Sequence, residues 1–256
     1  MVSPAPVPSN IAPPATRAPS AEPFDPSRVR AITLDLDDTL WPIWPTIERA
    51  EKVLHGWLER EAPRTAQLLL TPGALREIRQ AVESQNPQWL HDMSAMRRES
   101  IRVALLRAGD DPELAHAAFD AFFAERQRVT LYEDVLPSMD WLAARYPLVA
   151  ISNGNANIHE TGVGHWFKGA FSAREFGQGK PAAPIFHAAA ASLDVAPGEV
   201  LHVGDDAALD VVGALAAGMQ AAWLVRDARP WEHEQRPHLV VPDLHALCKA
   251  LGAPGA

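Results

Sequence analysis

Five short apolar runs rich in β-branched residues recur along this chain, at Val29 to Leu34, Leu148 to Ser152, Val200 to Val203, Ala221 to Val225 and Leu239 to Val241. Runs of this kind read as buried strands. Between the later ones lie helical patterns at Pro137 to Arg145, Pro184 to Leu193 and Ala207 to Ala217, the last stopped by Gly218 as a C-terminal cap. Strand alternating with helix constrains the fold strongly, because parallel strands need crossovers and the crossover helices cover both faces of the sheet. An α/β class with a parallel sheet is therefore expected.

The stretch from Trp44 to Thr130 breaks that rhythm. Apolar residues fall at helical spacing in four sets, beginning at Ile47, Leu75, Met93 and Leu114, with no convincing strand among them. Asp111, Pro112 and Glu113 read as a cap, a first-turn proline and a dipole-matched acid. Four helices inserted after the first strand predict a second, α-helical unit over 44–130, between core segments 28–43 and 131–256. The first 27 residues hold eight of the 23 prolines, which remove backbone donors and block helix, so a disordered tail is expected there. A transit peptide is the weaker alternative, since Arg17 is the only basic residue before Glu22.

A chain of 256 residues can bury a sizeable core. Its net charge of -9 argues against a surface built to hold nucleic-acid phosphates, which is normally basic. No apolar run approaches the roughly 20 residues of a membrane span. The single cysteine, Cys248, can form no internal disulfide, and no Cys/His spacing resembles a zinc site, so a cytoplasmic setting is expected.

The first strand ends in "DLDDT", Asp35 to Thr39; another ends at Ser152, Asn153 and Gly154, and a third at Gly204, Asp205 and Asp206. In an open parallel sheet the carboxyl ends of the strands face one crevice, where ligands bind. Converging Asp35, Asp37 and Asp205 would repel one another unless a cation sat between them, and an all-oxygen site without His or Cys selects Mg²⁺. Lys180, before a proline-started helix, supplies a point positive charge for a phosphoryl group. Ser152 and Asn153 can donate hydrogen bonds. Asp210, one turn beyond Asp206, is better placed to orient Lys180 or a metal-bound water than to bind metal directly. Asp38 and Thr39 read as residues that support the loop.

Together, "DLDDT", "SNG" at Ser152, "GKP" at Lys180 and "GDDAALD" from Gly204 to Asp210 resemble the four ordered motifs of haloacid dehalogenase superfamily phosphatases, over roughly residues 28–245. The resemblance implies a Rossmann-like core with a helical cap and catalysis through an aspartyl-phosphate on Asp35. Asp37 would act as general acid and base. Magnesium would be held by Asp35, Asp205 and the main-chain carbonyl of Asp37, while Ser152, Asn153 and Lys180 bind the transferring group of a small phosphorylated metabolite. Dehalogenases lack the second carboxylate, so Asp37 leaves phosphatase or phosphomutase.

The stretches "SNGNANIHETGVGHWF" and "LHVGDDAALDVVGALAAGMQAAWL" are also similar to bacterial phosphatases acting on FMN and 5-amino-6-(5-phosphoribitylamino)uracil of the riboflavin pathway. Sugar phosphates or phosphoglycolate are the alternative substrates, and a non-catalytic binding module is the alternative from another class. Trp41, Trp44, Trp57 and Trp89 are candidates to line a substrate pocket, with core packing preferred for Trp57. Arg97 and Arg98 are candidate substrate contacts, although a solvated helix face is the favoured reading. No histidine is assigned a role.

Overall fold

The strand that runs into the carboxylates, β1 (Ala31–Leu34), lies inside the sheet with a parallel partner on each side. In a computed structural model that describes residues 23–253 apart from 72, β1 pairs with β2 (Leu148–Ser152), which pairs with β3 (Gly169–Ser172). On its other side β4 (Val200–Gly204) leads to β5 (Gln220–Leu224) and β6 (Leu239–Val241), giving one six-stranded parallel sheet in the order β3-β2-β1-β4-β5-β6. The order reverses between β1 and β4, so the crevice for a ligand opens at their carboxyl ends.

Ahead of the helix that leads into β2, the described chain after β1 builds an insert of five α-helices: α1 (Ile43–Glu61), α2 (Pro63–Leu69), α3 (Ala74–Gln85), α4 (Met93–Ala108) and α5 (Ala115–Arg126). Four were expected. The additional one, α2, is a short helix opened by Pro63. Leu54, Leu58, Ile101, Leu105, Phe119 and Phe122 close the main apolar core of this insert, and Ile78, Val82 and Met96 close a smaller one.

The sheet is covered on both faces. On one, α6 (Val135–Ala143) and α10 (Leu244–Ala250) pack Val135, Met139, Leu142, Leu244 and Leu247 against Ile32, Leu34, Leu201 and Val203. On the other, α8 (Ala183–Ala191) and α9 (Gly213–Ala216), with the short α7 (Ala173–Phe176) after β3, set Ile185, Phe186 and Ala214 against Val149, Ile151 and Ala221.

Three sequence readings differ from the structure. The expected helix Ala207 to Ala217 is a π-helical segment, Ala207–Val212, followed by α9. Strand β3 escaped notice because "GAFS" lies at the sheet edge with none of its residues buried, which leaves no continuous apolar run. The predicted tail falls mostly outside the described residues, but its last part does not follow the expectation of disorder. Phe24 packs on the core, and the Asp25 amide and carbonyl both bond the Gln220 side chain before a 3-10 turn at Pro26–Arg28.

Candidate active site

Asp35 extends β1 by one residue: its amide donates to the Val203 carbonyl at 2.9 Å, fixing the carboxylate at the sheet's carboxyl edge. Lys180 Nζ donates to Asp35 Oδ1 at 2.5 Å and to Asp210 Oδ1 at 2.6 Å. All three groups are buried. Asp210 also accepts from the Asp206 amide at 2.9 Å and meets His202 Nε2 at 3.2 Å, and His202 in turn bonds Thr33 of β1. Lys180 is held from behind as well, by two reciprocal bonds of 2.8 Å between its backbone and the Asn153 carboxamide.

The charges do not cancel. Burial pushes the Asp35 carboxyl well above its usual range, Lys180 pulls the other way, and the nearby Asp210 and Asp205 raise it further. Asp205 is pushed up to about 7, first by burial and then by Asp210 and Asp38. Burial also opposes ionisation of Asp210, but Lys180 and His202 outweigh it and hold that carboxyl low. The lysine therefore neutralises Asp210 and part of Asp35, and Asp205 has only the half-exposed Arg229 guanidinium, 3.7 Å away, to offset its charge. Carboxylate oxygens of Asp35, Asp205 and Asp210 lie within 4.8 Å of one another and can hold a metal ion. Because Asp210 is already bonded to Lys180, His202 and the Asp206 amide, the free ligand capacity lies with Asp35 and Asp205. An all-oxygen donor set short of positive charge fits a hard divalent cation.

Asp37 has partners other than the lysine. Its Oδ1 accepts from the Trp41 indole at 2.8 Å, and both its oxygens lie 2.7 Å from Nη2 of Arg126 at the end of α5. Sequence reasoning missed Arg126, which lies 89 residues from Asp37 and carries no local signal. Gly154, after β2, leaves room for this pair, since a Cβ there would collide with Asp37 Oδ2 and crowd Ser152 Oγ. Ser152 is buried at the end of β2, where its hydroxyl accepts from the Gly154 amide at 3.0 Å.

The supporting residues are also placed. Asp38, at a φ of 56°, accepts the Ile43 amide at the start of α1. Thr39 Oγ1 donates to Asp35 Oδ2 at 3.4 Å, and Asp206 accepts the Ala208 and Leu209 amides of the π-helical segment. Asn153 departs from its expected part: its carboxamide is committed to the Lys180 main chain, so it positions the lysine.

The tryptophans divide. Trp41 is buried in the core, Trp44 is exposed, and Trp57 and Trp89 pack partly into the two cores of the insert. Arg97 does not lie on a solvated face, because its guanidinium stacks 3.9 Å from the Phe122 ring centroid and pairs with Glu51. Arg98 lies over Phe119 at 5.2 Å.

An α/β sheet with a helical insert after its first strand, and a lysine-bridged carboxylate pair at the strand ends, defines a hydrolase class that the family comparison also matches. Residues 29–218 fit the family of haloacid dehalogenase-like hydrolases, and the chain belongs to that family. Within it the chain is a phosphatase. It is 36% identical over 228 residues to the 5-amino-6-(5-phospho-D-ribitylamino)uracil phosphatase YigB of Escherichia coli, covering 86% of this chain and 95% of that protein. It is 36% identical over 157 residues to a phosphoserine phosphatase of Thermus thermophilus, covering 59% and 63% respectively. Among solved structures, a 2-haloacid dehalogenase of Pseudomonas syringae superposes with a TM-score of 0.82 at 33% identity, over 87% of this chain and 98% of that one. No described helix is long and apolar enough to cross a membrane.

Proposed function

We propose that the chain hydrolyses a small phosphate monoester through a covalent phosphoryl group on Asp35, with Asp37 as acid and base. The observation that carries the reading is the buried Asp35 carboxylate, anchored by Lys180 at the crevice and set beside Asp205, whose carboxyl is pushed up to about 7. An Asp35 oxygen attacks phosphorus as the ester P–O bond breaks, and Asp37 delivers a proton to the departing alkoxide. Asp37 then takes a proton from the water that attacks phosphorus, releasing phosphate and freeing Asp35. Lys180 and the Ser152 hydroxyl stabilise charge on the transferring group. Asp35, Asp205 and the Asp37 carbonyl would hold magnesium, which supplies charge neutralisation between carboxylate and phosphate. Hydrolysis of a generic aryl phosphate should cease on exhaustive chelation and return with magnesium; full activity without divalent ions contradicts the metal assignment.

The preferred substrate is a planar heterocycle carried on a ribityl phosphate, such as 5-amino-6-(5-phosphoribitylamino)uracil or FMN. Support comes from the similarity to YigB across nearly its whole length. In a panel of metabolites, the ribityl heterocycles should have the highest kcat/KM. A tenfold preference for a sugar phosphate or phosphoglycolate, about 1.4 kcal/mol at the transition state, removes the riboflavin-pathway assignment and leaves the phosphatase.

A further inference from the structure

Two cavities share a wall at Leu90 and Met93, one between the insert and the core and the other within the insert. One, of about 410 Å³, is lined by Lys180 of the proposed phosphoryl site, by Asn153 beside it, and by Leu90 and Met93 of the insert. The other, of about 330 Å³, shares Leu90 and Met93 and continues to Met96, Arg79, Arg97 and Glu83. The shared residues are large apolar side chains left 66% and 52% exposed. Taken together, the linings run from Lys180, past Leu90 and Met93, to the charged groups of the insert.

The far end lies close to the chemistry. Arg97 stacks on Phe122, and Phe122 stands four residues before Arg126 on α5, so the two lie on one helix face a turn apart. Arg126 holds Asp37. One turn before Arg97 on α4, Ser94 accepts from the Asn155 side chain of the core loop after β2. Arg97 is thus flanked by two direct contacts between insert and core.

The polar groups at this end have a pattern. Arg79 and Arg97 both donate to a single oxygen of Glu51, at 2.7 and 3.3 Å, which fixes the two guanidinium groups side by side. One carboxylate for two guanidinium groups leaves donors in excess; burial and the neighbouring Arg79 lower the Arg97 pKa to about 10. Glu83 contributes an acceptor to the same cavity.

Resting on the ribityl-heterocycle reading above, we propose that this cavity is the leaving-group subsite and that it takes a neutral planar dione ring. Arg79 and Arg97 donate to ring carbonyl oxygens, Glu83 accepts from an imide N–H, and Leu90, Met93 and Met96 pack on the ring face. Glu51 is a positioning residue. A compact carboxylate ligand fits less well: it would meet Glu83 and leave the leucine and methionines uncovered, whereas a thioether beside an aromatic ring is a favourable contact.

The test compares kcat/KM for FMN, for ribose 5-phosphate, which lacks the ring, and for phosphoserine, which carries a carboxylate. Wild type, Arg97→Met and Arg79→Met are assayed, the last because Arg79 is a third exposed and its loss disturbs packing least. The ratio of FMN to ribose 5-phosphate should fall at least tenfold in both variants, mainly through KM for FMN. An unchanged ratio in either variant that melts as wild type overturns the subsite and leaves the substrate reading in place. No wild-type preference for FMN over ribose 5-phosphate, or a preference for phosphoserine over FMN, overturns both.

Discussion

At the scale of single residues, the site is a problem in placing negative charge. Three carboxylates share a buried crevice, and one lysine is positioned to bridge two of them. Gly154 gives a sharp test of how tightly a fourth carboxylate, Asp37, is held. In Gly154→Ala the new methyl group must displace Asp37 Oδ2 or the Ser152 hydroxyl, and a misplaced acid of this kind should lower kcat/KM by about a hundredfold with little loss of stability. Steady-state assay beside a melting curve checks it. The strand-end carboxylates were legible in the sequence only as a set, because any one acidic loop residue reads equally as a solvated turn, whereas several polar strand ends in order converge on one crevice. Arg126 was not, since its partner is fixed by how the insert lies over the core. The bonds of Asn153 to the Lys180 main chain were hidden for a related reason: a carboxamide suits a phosphate and a backbone equally, and sequence does not show the approach of the Lys180 segment.

At the scale of elements, helix starts place the chemistry. Asp206 accepts the Ala208 and Leu209 amides, and this cap sets the segment that carries Asp210 toward the lysine. Asp206→Ala should cost about 1 kcal/mol of stability, a fall of a few degrees in Tm, and should lower kcat because Asp210 loses its register. Calorimetry and kinetics on the same sample separate the two effects. The elements themselves were legible in proportion to their burial. Strands β2 and β6 have the bounds read from sequence, whereas the half-exposed β3 offered no apolar run. The helix after β4 was read as one regular stretch because hydrophobic spacing does not distinguish a π-helical turn from an α-helical one.

At the scale of the whole molecule, stability is linked to the same charges. The Asp205 carboxyl is pushed up to about 7 in the folded protein, against 3.8 for an unperturbed aspartate, so between these values the folded state binds the extra proton. Stability of the metal-free protein should therefore fall as pH rises from about 4 through 7. A cation held by the ionised carboxylates reverses the trend, so the increase in Tm on adding magnesium should grow across that window. Thermal melts at several pH values, with and without magnesium, check the sign. The proposed metal site and the proposed acid–base role of Asp37 both rest on Asp35 as the attacking group. The most direct test of that role is kcat/KM for an aryl phosphate with magnesium, measured on wild type and on Asp35→Asn. The amide keeps the shape of the side chain but has neither the nucleophile nor the charge, so activity should fall at least about a thousandfold in a protein that remains folded. Turnover within tenfold of wild type would contradict Asp35 as the nucleophile.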